Sequence, residues 1–290
     1  MAKKKILLLS DDLRMSSGVG TMSREFVLGT LKHYDWVQVG GAIKHPDEGK
    51  VIDMNESVRK DSGVEDAYLK IYPTSGYGNP DMIRQIIQVE GGVDAILHYT
   101  DPRFWGWLYQ MEHELRRTTP IFYYNIWDDL PYPRWNEPFY ESCDLIMNIS
   151  KQTVNIVDNV CQITPRTDWD NTYVPHGINE NNFYPIDSSH KEWGDLLKFK
   201  RNVTGNKDYK YIVFWNNRNI RRKLPGDVVM AYKQFCDQLP KEEAEKCVLI
   251  MHTQPRDENG TDLPEVVKQV CPDYDVIFSH QKLSDKELCF

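Results

Sequence analysis

Long apolar runs are missing from these 290 residues. No stretch approaches the roughly 18 apolar residues of a membrane span, so no transmembrane segment is expected. The amino terminus, "MAKKKILLLSDD", sets three lysines before a short apolar run, but Asp11-Asp12 ends that run too early for a secretion signal. Paired cysteine motifs are missing as well. The six cysteines (143, 161, 236, 247, 271 and 289) are scattered with no CxxC, which argues against a disulfide framework and against a cysteine-held metal. Reduced thiols and a cytoplasmic location fit best, and the sequons "NIS" and "NVT" then carry no meaning. An excess of positive charge is also lacking. With 35 basic and 43 acidic residues the formal charge is -8, which disfavours non-specific binding to a nucleic-acid backbone.

What the chain does have is alternation. "KKILLLS" (4–10) reads as a buried parallel strand, and "SSGVG" follows it as a glycine loop, with a helical pattern from about Thr21. "WVQVGGAI" (36–43) and "YLKIYPT" (68–74) read as strands. "NPDMIRQIIQVEG" (79–91) reads as a helix with Asn79 as cap and Pro80 in its first position. "VDAILHYT" (93–100) gives a strand expected to end on His98. A helical stretch, the strand "PIFYYNIW" before Asp128-Asp129, a strand over 140–150 and the helix "KQTVNIVDNVC" continue the series. Repeated strand–helix order means an α/β protein with a parallel sheet.

Over 172–194 the pattern breaks into a Pro-, Gly-, Asn- and Ser-rich crossing. Domains are therefore expected at 1–185 and 186–290. The second repeats strand and helix with only three strands, fewer than a doubly wound domain usually carries, so it reads either as a naturally small half or as a fragment.

Several residues at expected strand ends carry chemistry. Arg218, Arg221, Arg222 and Lys223 fall within six positions of "FWNNRNIRRKLPG", straight after an apolar strand. Ligands of doubly wound sheets bind beyond the carboxyl ends of the strands. A guanidinium and an ammonium placed there suit a diphosphate, aided by the helix opening at Pro225-Gly226. The bland alternative is a solvated basic loop. Gly18 and Gly20 permit close approach to a phosphate or sugar, but Ser23 stands where a dinucleotide fingerprint needs a third glycine, so a nicotinamide cofactor is not expected. His98 could act as acid, base or hydrogen-bond donor, or be an ordinary buried histidine. Asp128 and Asp129 could hold a metal or accept sugar hydroxyls, or simply cap the following turn. His176-Gly177 reads as a turn with Gly177 at positive φ. Trp105, Trp107, Tyr132 and Trp135 are candidate stacking platforms.

Three of these pieces, "SSGVGTMSREFV", "YVPHGINENNFYPI" and "NNRNIRRKLPGDVVMAYKQF", resemble in order and spacing the GT-B glycosyltransferases of family 4. Pro175, Gly177, Phe183 and Pro185 match the family's middle motif, and Arg218 and Lys223 match its Arg–Lys pair. The resemblance implies a GT-B fold of two Rossmann-like domains, the second incomplete. It implies transfer of a sugar from a nucleotide-diphosphate-sugar donor to a hydroxyl of an unidentified acceptor, with retention and without a metal or other cofactor. Arg218 and Lys223 would then hold the donor diphosphate, and Gly18 and Gly20 would lie against donor sugar or diphosphate. The family's strand-end histidine is replaced by Trp127-Asp128, so the sugar contact has moved to Asp128, moved to His98 or been lost. Its acidic E-x7-E segment is not found, and roughly 70–110 further residues would complete a typical second domain. A non-catalytic sugar- or partner-binding module is the alternative. A DNA acceptor is disfavoured by the acidic balance.

Overall fold

A computed structural model describes residues 2–42, 44–161 and 170–290. They fall into two compact units, Met1–Gly177 and Ile178–Phe290.

The first unit is built on an eight-stranded sheet. In chain order its elements are β1 (Lys4–Asp11), α1 (Gly18–Thr30), β2 (Tyr34–Ala42), β3 (Ile52–Asp53), α2 (Asn55–Ser62), β4 (Leu69–Ser75), α3 (Pro80–Val89), β5 (Ala95–Tyr99), α4 (Gly106–Gln110), α5 (Glu112–Leu115), β6 (Ile121–Asn125), α6 (Glu137–Glu141), β7 (Leu145–Asn148), α7 (Lys151–Val160) and β8 (Asp170–Tyr173). The strand order is β3-β4-β2-β1-β5-β6-β7-β8, parallel except for β3. The direction of winding reverses between β1 and β5, which makes their carboxyl ends the switch point of the sheet.

The apolar run of β1 explains its place at the centre. Leu7 and Leu9 enter one core with Ile83 and Ile86 of α3, while Ile6 and Leu8 enter another with Val27 of α1. A strand buried on both faces needs a continuous apolar run, and Ile6–Leu9 supply it here. Helix α3 starts where its sequence says: Asn79 Oδ1 accepts from the backbone N–H of Asp81 and Met82, and Pro80 fills the first helical position.

The second unit comprises α8 (Trp193–Val203), β9 (Tyr211–Asn216), α9 (Pro225–Asp237), α10 (Lys241–Ala244), β10 (Cys247–His252), α11 (Leu263–Val270), β11 (Val276–Ser279) and α12 (Asp285–Cys289). Its sheet is parallel, in the order β11-β10-β9. Beneath it, Val229, Tyr232, Leu249 and Met251 form the larger core. Tyr211, Ile212, Val213 and Phe214 of β9 are exposed.

The structure corrects several boundaries. Helix α1 begins at Gly18 rather than near Thr21, because Ser17 caps it and accepts from Gly20 N–H at 2.9 Å. Strand β5 runs on to Tyr99, one residue past His98. Residues 140–150 open with the end of a helix, and strand β8 takes up the first two residues of the crossing expected from 172. Gly177 is not among the glycines at positive φ. Ile43, expected in the second strand, lies outside the described residues.

Candidate functional site

At the switch point, β1 ends in two adjacent carboxylates with opposite surroundings. Asp12 is fully buried. It accepts from Arg14 (Nη2 at 2.7 Å) and meets His45 Nε2 at 2.9 Å, while His45 Nδ1 accepts from the Asp47 backbone at 3.1 Å. That bond fixes the proton on Nε2, which therefore donates to Asp12. Burial pushes the Asp12 carboxyl up, but the hydrogen bonds and charge of Arg14, with help from His45, outweigh it and leave the group below the usual carboxylate range.

Asp11 is half-buried. Burial pushes its carboxyl above the ordinary value, against the lowering effect of the Ser17 hydroxyl that donates to it at 2.9 Å. Ser17 thus joins Asp11 to the amino end of α1. A Cβ at Gly20 would lie 2.7 Å from Met15 O and 2.8 Å from Asp12 O, so only glycine lets this helix start against the end of β1. Gly18 faces open space. The structure therefore gathers Gly18 and Gly20 with Asp11 and Ser17, two residues that motif reading passed over.

His98 lies deeper. It pairs with Leu9 in the register, one step below the Ser10–Tyr99 pair, and is fully buried. Its Nδ1 meets Tyr109 Oη at 2.6 Å, and the ring stacks on Tyr123 at 5.0 Å. Burial lowers the imidazole to about 3, so it is neutral at neutral pH.

Tyr99, the next residue, meets His176 Nε2 at 3.4 Å, and the His176 ring stands edge-on to Tyr124 at 5.4 Å. His176 is exposed at the same end of the sheet, and partial burial of its ring lowers its pKa. Asp128 is exposed beyond β6, with its carbonyl accepting from Gln152 Nε2 at 2.9 Å. Of the four expected stacking residues, Trp105 is fully buried, Trp107 packs against the core, and Tyr132 and Trp135 are exposed.

In the second unit the cationic loop follows β9. Arg218 is 63% exposed and pairs with Asp257, Nε to Oδ2 at 3.0 Å. Arg221–Lys223 form a 3-10 turn, and Leu224 turns into α9 with φ of 47°. A leucine in the left-handed region is uncommon and costs about 1 kcal/mol. Helix α9 has no side-chain cap. Three cations thus stand immediately before the positive end of a helix dipole, where the one acid of the first turn, Asp227, offsets them in part and a bound anion would offset them further. Among the described residues none of the three makes a side-chain hydrogen bond or ion pair.

No family model and no curated protein matches this chain. Solved structures do. A structure described as trehalose-6-phosphate from E. coli bound with UDP-2-fluoro glucose has a TM-score of 0.59 at 12% identity, over 98% of this chain and 75% of that one. An α,α-trehalose-phosphate synthase (UDP-forming) from Burkholderia xenovorans in complex with glucose-6-phosphate gives 0.61 at 10%, over 98% and 76%. A trehalose-6-phosphate synthase studied with bisubstrate glycomimetics for glycosyl transfer with retention gives 0.60 at 13%, over 99% and 74%. The chain therefore has the two-sheet α/β fold of GT-B glycosyltransferase structures.

Proposed function

We propose that this chain is a glycosyltransferase of the family 4 kind, taking its sugar from a nucleoside-diphosphate donor. The observation that carries the reading is the cluster Arg218, Arg221, Arg222 and Lys223, set before the uncapped amino end of α9. Arg218 and Lys223 hold the donor diphosphate. They stabilise it as the C1–O bond breaks and the electron pair moves to the leaving phosphate oxygen. The acceptor oxygen bonds to C1 and its proton passes to the departing diphosphate. The reaction is retaining, the acceptor oxygen entering on the face that the diphosphate leaves, and it needs no metal because the basic pair supplies the positive charge. UDP is the natural first donor nucleotide to try, since two of the similar structures are described with UDP-2-fluoro glucose or as UDP-forming. Gly18 and Gly20 bring backbone close to donor or acceptor, and Asp128 accepts sugar hydroxyls. His98 supports this end of the sheet through its packing, since it is buried and neutral.

Release of UDP from a panel of UDP-hexoses, with and without glucose 6-phosphate as acceptor, tests the reading. Arg218→Ala and Lys223→Ala are each expected to cut the rate by about 100-fold or more, with the unfolding midpoint unchanged. Wild-type rates in both variants would sink it.

One observation favours a non-catalytic second reading. An apolar cavity of about 360 Å³ lies in the second unit, lined by Leu196, Phe199, Ile212, Phe214, Ile250 and Leu288 among others. A binding module would use it for an apolar group and release no UDP. Sustained turnover excludes that reading.

A further inference from the structure

The loops after β9 and β10 are locked together by one buried side chain. Asn219 is fully buried. Its Nδ2 is shared among the carbonyls of Gln254 (3.2 Å), Pro255 (3.3 Å) and Thr261 (2.7 Å), while its Oδ1 accepts from Thr261 N–H at 3.2 Å. Gly260 lies against it so closely that a Cβ there would sit 2.1 Å from Asn219 O. A satisfied buried polar group of this kind specifies one loop geometry, because any other leaves carbonyls unpaired. The clamp fixes loop 254–262 beside the residue that precedes Asn219 in the chain, Arg218.

Asp257 sits in that loop with its side chain only 11% exposed. The backbone N–H of Asn259 donates to its Oδ1 at 2.9 Å. It takes Arg218 side-on, Nε to Oδ2 at 3.0 Å and Nη2 to Oδ1 at 3.4 Å. That uses one edge of the guanidinium. Among the described residues nothing bonds to the Nη1 edge, and the side chain is exposed. A loose arginine must freeze its rotamers to grip a phosphate. One already held on its Nε edge does not.

We infer that Asp257, fixed by the Asn219 clamp, is a positioning residue that presents Arg218 to the donor diphosphate. The inference rests on the reading of Arg218 under Proposed function. It assigns the negative charge beside a phosphate site to orientation rather than to repulsion.

Calorimetric titration of the full chain with UDP tests it, using wild type, Arg218→Ala, Asp257→Ala and the double variant. Arg218→Ala is expected to weaken UDP by about 10-fold or more, and Asp257→Ala by about 3- to 10-fold. The double variant should be no weaker than Arg218→Ala alone, because the effect of Asp257 runs through Arg218. A merely structural role would give the same loss in both backgrounds, and that result would overturn the inference. So would UDP binding as tight as wild type, or tighter, in Asp257→Ala. If Arg218→Ala leaves UDP affinity unchanged, the reading of the site fails and the inference falls with it. If only Asp257→Ala is without effect, the reading stands and the inference falls alone.

Discussion

The two units end their strands in opposite ways. In the first, the charged groups at the carboxyl edge are mostly acids with partners at hand: Asp12 with Arg14 and His45, Asp11 with Ser17, Asp101 with Arg103. In the second, the corresponding loop after β9 carries cations, and only Arg218 has an acidic partner among the described residues. Partnered acids build structure, whereas charges left open at a strand end are free to meet solvent or an anion. On the proposed function, the first unit would offer hydroxyls, carboxylates and a histidine to a polar acceptor, and the second would offer positive charge to an anion.

The contrast can be broken first at Asp12. Asp12→Ala leaves the partly buried Arg14 without its main partner and is expected to cost about 3 kcal/mol in urea unfolding. A cost near zero would mean the pair is not a closed structural one. Next is Gly20→Ala, whose Cβ meets two backbone carbonyls below 3 Å and is expected to cost about 2 kcal/mol. Gly18→Ala, facing open space, should be within about 0.5 kcal/mol of wild type. Equal effects at the two glycines would contradict the packing described for α1.

A smaller effect separates the two carboxylates. The folded-state pKa of Asp12 is depressed, so its contribution to stability is present above the usual carboxylate range and is lost as pH falls through the folded value. The folded-state pKa of Asp11 is raised, so its ionisation disfavours the folded state once pH has risen through that value. Asp11→Asn is therefore expected to stabilise the chain at pH 7 by less than about 1 kcal/mol. The gain should vanish below the ordinary aspartate range. Thermal unfolding at pH 7 and pH 3 checks both signs, and destabilisation by Asp11→Asn at pH 7 would show that this carboxylate is structural.

Much of this was legible in the sequence, and the reasons are physical. β1 and β5 declare themselves because interior parallel strands carry near-continuous apolar runs, and α3 because its cap and its proline are adjacent. The Arg218–Lys223 cluster stands out because charge after an apolar run is local information. What was missed lacks a burial signal. Val58 is the only buried residue of α2, α8 buries none fully, and β8 is an exposed edge strand. The deep position of His98 depended on where β5 ends, one residue later than the pattern suggests. Asp257 and Asn219 were invisible for another reason. They are 38 residues apart, and only the neighbouring of β9 and β10 brings their loops together.

The central claim is that the open cations after β9 hold a nucleoside diphosphate. It is tested most directly by titrating UDP into wild type and Lys223→Ala at two salt concentrations. The account predicts binding that weakens with salt in the wild type, and a loss of about 10-fold or more with a shallower salt dependence in Lys223→Ala. Equal affinity and equal salt dependence in the two proteins would contradict it.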